Sequence, residues 1–354
     1  MSPLPSTGPD DAVRQALYRA MDPHHLTPLW EVLHALVPPQ PRSCCVAAHW
    51  PYAQVRPFLQ RAGEVISAAE AVRRVLILEN PALRGQSAIT PSLYAGLQLI
   101  LPGEIAPSHR HTQSALRFVV EGAGAYTAVD GERCTMHPGD LILTPGWTWH
   151  DHGNETDQPV VWLDGLDIPL VRFFEAGFAE NGSYQSQPQS RPEGTSQARY
   201  GHNMAPVRGT AACAAASPVF RYPYEHSRAA LDTLARTTEP DAWEGYKLRY
   251  LNPLTGAAPL PTLQPFLQRL PAGFDGRPWR QTDGAVYSVV EGTGTAYIDG
   301  PGGPLRFDFG ARDHFVVPSW QTLRLQSAAG CVLFSFSDRP VQQALGIHKE
   351  ERLA

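Results

Sequence analysis

The chain has 354 residues, a formal net charge of −5 at pH 7 and a hydrophobic share of 43%. A chain of this length can bury a sizeable core and is expected to form two domains or one large double domain. Since no block of basic residues stands out, neither a nucleic acid nor an anionic membrane is favoured as a partner, and a small molecule is the default ligand.

In chain order, a helical arm comes first, and we assign it to residues 1–85. Apolar residues recur at helical spacing from Asp10 to about Leu36, as in TPLWEVLHALV, and the proline-rich PPQPRS that follows stops the helix. The stretch VRPFLQRAGEVISAAEAVRRVLILENP predicts one or two more helices that run into a strand at Arg74 to Leu78.

Two β regions follow, separated by a polar connection. In residues 86–176, short alternating or apolar runs between Gly, Pro and Asp turns predict an antiparallel sandwich or barrel. Residues 177–240 contain YQSQPQSRPEGTSQ, typical of a long exposed connection, and then a predicted helix at SRAALDTLARTTEP. Strands resume in residues 241–340, and residues 341–354 form a tail.

The second β region repeats the first. ALRFVVEGAGAYTAVDG, from Ala115, aligns with AVYSVVEGTGTAYIDG, from Ala285. DLILTPGW, from Asp140, aligns with DHFVVPSW, from Asp313. One β unit therefore occurs twice, and the sequence predicts an all-β fold of two similar barrels behind a helical N-terminal arm.

The cysteines and the first residues bear on location. The cysteines are scattered, and they form none of the CxxC pairs of a zinc or redox site: Cys44, Cys45, Cys134, Cys213 and Cys331. The first residues lack a basic start followed by an apolar core, and no later run is long enough to span a bilayer. We therefore expect a reducing, cytoplasmic location without a membrane partner.

Histidines of the first β unit have the spacing of a metal site. His109 and His111 project to the same side of an extended strand, and His150 follows a later strand and a Pro-Gly turn. An isolated H-x-H pair more often belongs to surface or hydrogen-bonded histidines than to a metal site. The second β unit has no histidine at the matching positions: Trp279, Gln281 and Leu323. The scaffold evidently folds without histidines there, and this favours the metal interpretation.

Three neutral imidazoles suit Zn, Fe, Ni or Cu rather than Mg or Ca, so the ligand set alone does not name the ion. Three histidines on one face of an octahedron leave three positions open, enough for a two-point chelating substrate and dioxygen. Without a carboxylate ligand the ion keeps its full positive charge. Such a site favours a substrate with a carboxylate beside a hydroxyl.

The spacings around these histidines resemble the two motifs of the cupins. The run from Gly103 to Gly122 resembles the first motif, and the run from Gly139 to Asn154 resembles the second. Two departures occur: Ala115 stands where many cupins carry a glutamate ligand, and Trp147 replaces the usual glycine. The resemblance implies a bicupin that binds metal in its first barrel only.

A closer resemblance covers most of the chain. RRVLILENPALRGQSAITPSLYAGLQLILPGE followed by HRHTQSALRFVVEG resembles the family of gentisate 1,2-dioxygenase and its salicylate and 1-hydroxy-2-naphthoate relatives. The resemblance implies Fe(II), a small aromatic acid and O2 as substrates, and ring cleavage between the carboxylate- and hydroxyl-bearing carbons, with maleylpyruvate as the product from gentisate. It also implies a homotetramer; the apolar N-terminal arm either contacts a neighbouring subunit or packs on its own barrel.

The same resemblance assigns residues to the substrate pocket. Four positions are implied to line or support it: Arg73, Gln98, Arg117 and His152. Two others are implied to shape substrate preference: Tyr94 and Gly96. Trp147 and Trp149 either wall this pocket or belong to the core.

The chemistry of these residue types supports specific roles. Arg117 lies six residues after His111, on the same strand face if the strand is regular, and its planar fork suits a carboxylate; the alternative is an exposed strand-end arginine. His152 suits proton donation to a substrate or dioxygen oxygen; the alternative is a solvent-facing loop histidine. Asp164 either orients one of these groups or is a plain strand-end acid.

The sequence therefore predicts O2-dependent cleavage of a monocyclic hydroxybenzoate, with gentisate preferred. Within the class, the rival is a dioxygenase that cleaves salicylate or a hydroxynaphthoate. From another class, the rival is a non-catalytic metal- or sugar-binding cupin. In such a protein the open three-histidine site, Arg117 and His152 would have no obvious use.

Overall fold

The structure is a computed structural model and describes residues 9–202, 204–208 and 215–354. Cys213, the start of the predicted arm and part of the predicted connection lie outside the described residues. The chain divides into two compact units, Met1–Arg42 and Ser43–Ala354. Among the described helices none has the length and apolar character needed to cross a membrane.

The first unit is helical, as predicted. It contains α1 (Pro9–Met21) and α2 (Leu29–Leu36). Trp30 of α2 donates its indole N–H to the Tyr18 hydroxyl of α1 at 2.8 Å. Most apolar side chains of the two helices are exposed: Val13, Leu17, Leu29, Trp30, Leu33 and Leu36.

The second unit contains the strands and the remaining helices. The described helices are α3 (Tyr52–Val65), α4 (Ala68–Ala71), α5 (Ile168–Phe173), α6 (Thr195–Tyr200), α7 (Tyr224–Thr237) and α8 (Arg339–Ala344). The strands up to residue 222 are β1 (Ala48–Trp50), β2 (Val75–Ile77), β3 (Tyr94–Ile100), β4 (Ile105–His111), β5 (Ala115–Glu121), β6 (Tyr126–Val129), β7 (Glu132–Thr135), β8 (Leu141–Thr144), β9 (His150–Gly153), β10 (Val160–Leu166), β11 (Ala179–Asn181) and β12 (Arg221–Tyr222). The later strands are β13 (Tyr246–Arg249), β14 (Gln264–Leu270), β15 (Phe274–Asp275), β16 (Trp279–Gln281), β17 (Ala285–Gly292), β18 (Gly294–Gly300), β19 (Gly303–Phe309), β20 (His314–Val317), β21 (Thr322–Ser327), β22 (Cys331–Ser337) and β23 (Glu350–Arg352).

These strands form two barrels, each built from two facing antiparallel sheets. The first barrel consists of the sheets β12-β8-β5-β10-β3-β2 and β11-β4-β9-β6-β7. The second consists of β1-β20-β17-β22-β14-β13 and β19-β18-β21-β16-β23, with β15 paired to β21. The predicted all-β, two-barrel architecture with a helical N-terminal arm is confirmed.

The two barrels share one apolar core. The sheet that contains β5 and the sheet that contains β22 pack against each other, and the rings of Phe118 and Phe334 stack with centroids 4.0 Å apart. Leu116, Leu163 and Phe336 belong to the same buried cluster. Because side chains alternate along a strand, the other face of each sheet points into its own barrel.

Each barrel also receives an edge strand from the segment that precedes the other barrel. Strand β1 pairs with β20 of the second barrel, and β12 pairs with β8 of the first. The helices that follow start on matching contacts: the Tyr52 N–H donates to Asp313 at 2.7 Å, and the Tyr224 N–H donates to Asp140 at 2.9 Å. The repeat thus includes a strand and a helix beyond the β unit that the sequence alignment revealed.

The polar connection lies against the first barrel. Its β11 pairs with β4, and the Gly182 N–H donates to the Ser108 carbonyl at 2.7 Å. Farther along, Ser196 donates its hydroxyl to the buried carboxylate of Glu132. Most of residues 177–195 are exposed, as predicted, yet they follow the barrel surface. The domain boundaries drawn from the sequence stay a prediction.

A buried histidine lies between the barrels. His314 of β20 faces the same side as Val316, a member of the shared core. Both ring nitrogens are buried and have no hydrogen-bond partner in the described part of the chain. Burial lowers the pKa of His314 to about 3. The matching residue of the first barrel is the buried Leu141.

The variant His314→Leu should make the protein less sensitive to acid. As pH falls from about 6.5 towards 3, the unfolded chain binds a proton at His314 that the folded chain does not bind, so the free energy of unfolding decreases by about 1.4 kcal/mol per pH unit. Denaturant unfolding at several pH values should show that the free energy of unfolding of the variant falls less steeply between about pH 6.5 and 3 than that of the wild type. The exposed His226→Leu is the control, and equal pH slopes in wild type and His314→Leu would contradict the account.

Candidate metal centre and substrate pocket

Histidines from two adjacent strands meet inside the first barrel. His109 and His111 lie on the inward face of β4, and His150 lies opposite His109 on β9. The candidate ligand nitrogens of these three residues all lie within 4.8 Å of one another. It is the one cluster of three or more potential ligand residues found in the described residues. The predicted convergence is thus present in the fold.

The outer nitrogens of two of these rings show that the site fits a metal ion. Nδ1 of His111 lies 2.8 Å from the Gln113 carbonyl oxygen, and Nδ1 of His150 lies 2.9 Å from that of Thr148. A carbonyl oxygen only accepts, so each Nδ1 carries the proton and each Nε2 has a free lone pair. Nε2 of His150 is buried without a partner among the described atoms. A metal ion would satisfy it.

Burial keeps these imidazoles neutral, as metal ligands must be. It lowers the pKa of His111 to about 4 and that of His150 well below its ordinary value. Burial, followed by the charge of Arg73, lowers the pKa of His109 to about 3. No proton therefore has to leave an imidazolium before an ion binds near neutral pH.

Arg73 lies directly behind His109. Its Nη2 is 2.5 Å from Nδ1 of His109 and donates to the Pro107 carbonyl at 2.6 Å. A guanidinium group only donates, so in this arrangement Nδ1 of His109 accepts and Nε2 carries the proton. Coordination of a metal ion through Nε2 therefore requires the proton to move to Nδ1 and Arg73 to move away from it. Arg73, assigned to the substrate pocket by resemblance, thus contacts a candidate metal ligand.

The other predicted pocket residues lie on the facing sheet. Tyr94, Gly96 and Gln98 occupy alternate positions on β3, and Asp164 of β10 lies between Gly96 and Arg117 of β5. The intervening residues point instead into the core shared by the barrels: Ala95, Leu97, Leu116, Phe118 and Leu163. Strand alternation therefore gathers the five predicted residues on one wall opposite the histidines.

The prediction that Arg117 shares a strand face with His111 is wrong. β4 ends at His111, and β5 begins at Ala115 in the other sheet, so the two residues do not share a strand. Arg117 is not an exposed strand-end residue either, because it is only 4% exposed. It faces the histidines across the barrel rather than along one strand.

Arg117 and Asp164 form a buried pair. Nε of Arg117 lies 3.4 Å from Oδ1 of Asp164, an ion-pair distance without hydrogen-bond geometry. Oδ1 also accepts the Trp162 indole N–H at 3.0 Å. Burial raises the pKa of Asp164 to about 6, and Arg117 opposes that rise, so the carboxylate is charged near pH 7. Asp164 is thus a buried partner of Arg117 and not a plain strand-end acid.

His152 is a buried strand residue, so its alternative as a solvent-facing loop histidine is wrong. It lies on the inward face of β9, and Nδ1 is 2.9 Å from the Thr127 hydroxyl oxygen. Nε2 is buried and has no partner within the described chain. Burial lowers the pKa of His152 well below its ordinary value. The ring is therefore neutral and oriented, with one nitrogen available.

Space near the start of β3 is limited by two side chains. A Cβ atom added to Gly96 would lie 2.5 Å from Cγ1 of Val75 and 3.0 Å from the Tyr94 hydroxyl oxygen. Glycine at position 96 thus avoids a clash with β2. Burial and the charge of Asp164 raise the pKa of Tyr94, so its hydroxyl stays protonated and can donate.

Neither Trp147 nor Trp149 is part of the core. Both are half-buried, and the Arg110 guanidinium lies 4.4 Å from one ring centroid and 4.7 Å from the other. Arg110 alternates with the inward His109 and His111, so this stack is on the outer side of β4. The tryptophans cover the outside of the sheet that carries the three histidines.

Sequence reasoning missed the residues that support the predicted ones: Val75, Thr127, Thr144 and Trp162. Their types are common in strands, and no motif marks them. For Thr144 a signal existed, since the repeat has Val317 at the matching position while Arg117 is matched by Tyr287.

The second barrel has the same strand pairing, but large side chains fill its interior. Trp279 pairs with Leu323 as His109 pairs with His150. Lys247 and Phe266 occupy the places of Val75 and Gly96 in their strands. The Lys247 ammonium lies 4.7 Å from the Phe266 ring and 5.2 Å from the Trp279 ring. It also contacts Glu244 at 2.6 Å. These side chains fill the part of the second barrel that corresponds to the candidate site of the first.

Comparison with known proteins gives relatives along nearly the whole chain. A family model described as a cupin domain matches residues 96–166. The chain is 50% identical over 343 residues to gentisate 1,2 dioxygenase 1 of Aquipseudomonas alcaligenes, covering 96% of each chain. It is 39% identical over 344 residues to a gentisate 1,2-dioxygenase of a Streptomyces species, covering 95% of this chain and 94% of the relative.

A solved structure has the same fold throughout. Salicylate 1,2-dioxygenase from Pseudoaminobacter salicylatoxidans, studied as adducts with gentisate, superposes with a TM-score of 0.91 at 35% identity. The match covers 99% of this chain and 95% of that one. The likeness therefore includes both barrels as well as the candidate site.

We expect about one tightly held metal ion per chain, because only the first barrel has ligands at the three matching positions. Metal analysis of purified protein after removal of weakly bound ions measures this. The variant with His109→Ala and His111→Ala should lose the ion, whereas His137→Ala with His226→Ala, which changes exposed histidines, should keep it. Two tight ions per chain, or full loading of the first variant, would overturn this expectation.

Proposed function

The chain belongs to the gentisate 1,2-dioxygenase family of ring-cleaving cupin enzymes, and from this premise we propose that it cleaves gentisate with O2 in an Fe(II)-dependent reaction. The ring would open between the carboxylate- and hydroxyl-bearing carbons to give maleylpyruvate. The observation that carries the proposal is the buried Arg117 facing three convergent histidines in a chain 50% identical to a gentisate 1,2 dioxygenase.

The metal would be held by His109, His111 and His150. When bound, Fe(II) would supply the redox chemistry with dioxygen, and the acid would bind it through the carboxylate and the adjacent hydroxyl. The two rings fixed by backbone carbonyls, His111 and His150, need no reorganisation to present Nε2. Burial in the barrel excludes water from the reacting groups.

Arg117 would bind the substrate carboxylate. A guanidinium group matches a carboxylate in shape and charge, and in this buried site water screens the attraction weakly. Asp164 balances the charge of Arg117 in the absence of substrate, so the arginine does not remain an isolated buried cation. Gln98, on the same wall, adds a polar side chain beside the ring.

His152 would handle a proton. The Thr127 hydroxyl holds Nδ1, so the ring is fixed while Nε2 remains available for a substrate or dioxygen oxygen. With a metal ion on His109, Arg73 would leave Nδ1 of that ring and would contribute positive charge near the anionic substrate.

Tyr94 and Gly96 would set the preference among ring substituents. A protonated phenol at this wall can donate a hydrogen bond to a second ring hydroxyl, which gentisate has and salicylate lacks. The alternative within the family is a salicylate or 1-hydroxy-2-naphthoate 1,2-dioxygenase, and the likeness to a solved salicylate 1,2-dioxygenase supports it. A cytoplasmic homotetramer stays a prediction, supported by the exposed apolar side chains of α1 and α2.

The proposal is tested by anaerobic loading with Fe(II), addition of gentisate and admission of air. Uptake of about one O2 per gentisate, with appearance of an absorbing ring-opened product, is expected. The variant His150→Ala should show neither. Turnover of salicylate but not gentisate would assign the alternative, and no oxygen uptake with either acid would leave a non-catalytic metal- or sugar-binding cupin.

The variant Arg117→Ala should lose transition-state stabilisation on the order of 2–5 kcal/mol, because the buried carboxylate of the substrate loses its partner. Iron content should stay near that of the wild type, and Arg117→Lys should restore activity only partly since a point charge lacks the fork. Arg110→Ala removes an arginine outside the barrel and serves as the control. Equal kcat/KM values for wild type and Arg117→Ala at equal iron content would remove Arg117 from the substrate site.

Gentisate should be cleaved at least roughly a hundredfold more efficiently than salicylate, because a buried donor at Tyr94 is left unpaired by the acid that lacks the second hydroxyl. Side-by-side kcat/KM values on iron-replete protein measure this, and Tyr94→Phe should remove most of the difference. Comparable values in the wild type would contradict the preference. A preference that survives in Tyr94→Phe would assign it to another residue.

A further inference from the structure

Two of the three nitrogens of the Arg117 guanidinium group face fixed polar side chains, and one of the two makes a hydrogen bond. Nη1 donates to the Thr144 hydroxyl oxygen, and Nε faces Asp164 at 3.4 Å. Nη2 has no partner among the described residues, and unlike Nε it is not a fully buried orphan. One donor therefore remains accessible for a ligand, and its direction depends on the contacts at the other two nitrogens.

We propose that Thr144 is a positioning residue that orients Arg117 for the carboxylate of the aromatic acid. This inference rests on the proposed function, since it assigns Arg117 to the carboxylate. Thr144 does not have to touch the substrate. Its hydroxyl oxygen accepts the hydrogen bond that fixes the plane of the guanidinium group.

The sheet geometry explains why Thr144 reaches Arg117. In the β5–β8 pair, Ala115 lies opposite Thr144 and Arg117 lies opposite Ile142, so Thr144 is the diagonal neighbour of Arg117 on the inward face. Thr144 is fully buried. Its β-branched side chain has few χ1 rotamers, and a hydroxyl on such a side chain is a rigid acceptor.

Asp164 completes the support from the opposite side. Its carboxylate is fixed by the Trp162 indole N–H, so the anion beside Nε cannot follow a rotating guanidinium group freely. An arginine side chain has several rotatable bonds, and ordering them during binding weakens affinity. Support by Thr144 and Asp164 orders the group before the substrate arrives, which is the advantage of preorganisation.

The second barrel shows that the strand does not require this hydroxyl. Val317 lies opposite Ala285 there as Thr144 lies opposite Ala115, and Tyr287 takes the place of Arg117. Threonine thus accompanies arginine in the first barrel, and valine accompanies tyrosine at the same two positions of the second. The nearly isosteric Thr144→Val copies the second barrel, so we expect it to fold and to keep its metal ion.

The test compares Thr144→Val and Thr144→Ser with the wild type, using the anaerobic Kd and the steady-state KM and kcat for gentisate. For Thr144→Val we expect Kd and KM to rise about tenfold while kcat changes less than about threefold, because binding of the carboxylate is lost equally in the ground and transition states. Thr144→Ser should stay within about twofold of the wild type. Thr135→Val, which removes from strand β7 a half-buried hydroxyl that donates to Glu193, is the matched control.

A double-variant cycle separates positioning from a structural effect. In the Arg117→Ala background, Thr144→Val should cause no further loss, since there is no guanidinium group to orient. Unchanged Kd in Thr144→Val, failure of serine to restore binding, or an equal loss in the Arg117→Ala background would overturn the inference.

Benzoate, which keeps the carboxylate but has no hydroxyl, is the second probe for the same variants. If the wild type fails to cleave gentisate but binds benzoate about tenfold more tightly than Thr144→Val does, the positioning role stands and the proposed substrate falls. If the wild type binds neither acid, both the role and the proposed function are overturned.

Discussion

The central constraint of this structure is that one sheet of the first barrel has side chains on two buried sides. One side packs in the core between the barrels, and the other faces the interior of the first barrel. Side chains alternate along β3, β5, β8 and β10, so every second residue packs into the core between the barrels and the others face the histidines. Leu116 and Phe118 stabilise the contact between the barrels, whereas Arg117, between them in sequence, faces the three histidines. A shift of one residue in register would bury the arginine between the barrels and turn the apolar residues towards the three histidines.

The same constraint explains how two equivalent barrels can differ in chemistry. The faces that point out of each barrel keep their apolar residues because the two barrels pack against each other through them. The residues that point into each barrel are not constrained by this contact and can differ. In the first barrel these positions hold His109, His150 and Arg117; in the second they hold Trp279, Leu323 and Tyr287. Polar groups buried in one interior are supported by partners such as Thr144 and Asp164, and the other interior is filled by side chains that need few such partners.

Much of the fold and the ligand set could be predicted from the sequence, because both depend on local patterns. His109 and His111 are two apart on a strand, and the repeat supplied a control position for each histidine. The relation of Arg117 to His111 could not be predicted in that way, since the turn before Ala115 moves the chain to the other sheet. Supports such as Thr144 depend on register between strands distant in sequence, and a single strand does not reveal its diagonal neighbour.

Our central prediction is that a metal ion and the substrate carboxylate bind in the first barrel, while the second barrel binds neither. A crystal structure of the anaerobic Fe(II) protein with gentisate measures this most directly. We predict one ion on His109, His111 and His150, the substrate carboxylate on Arg117, and Lys247 still packed on Trp279. An ion held elsewhere, or a carboxylate that binds away from Arg117, would contradict the account.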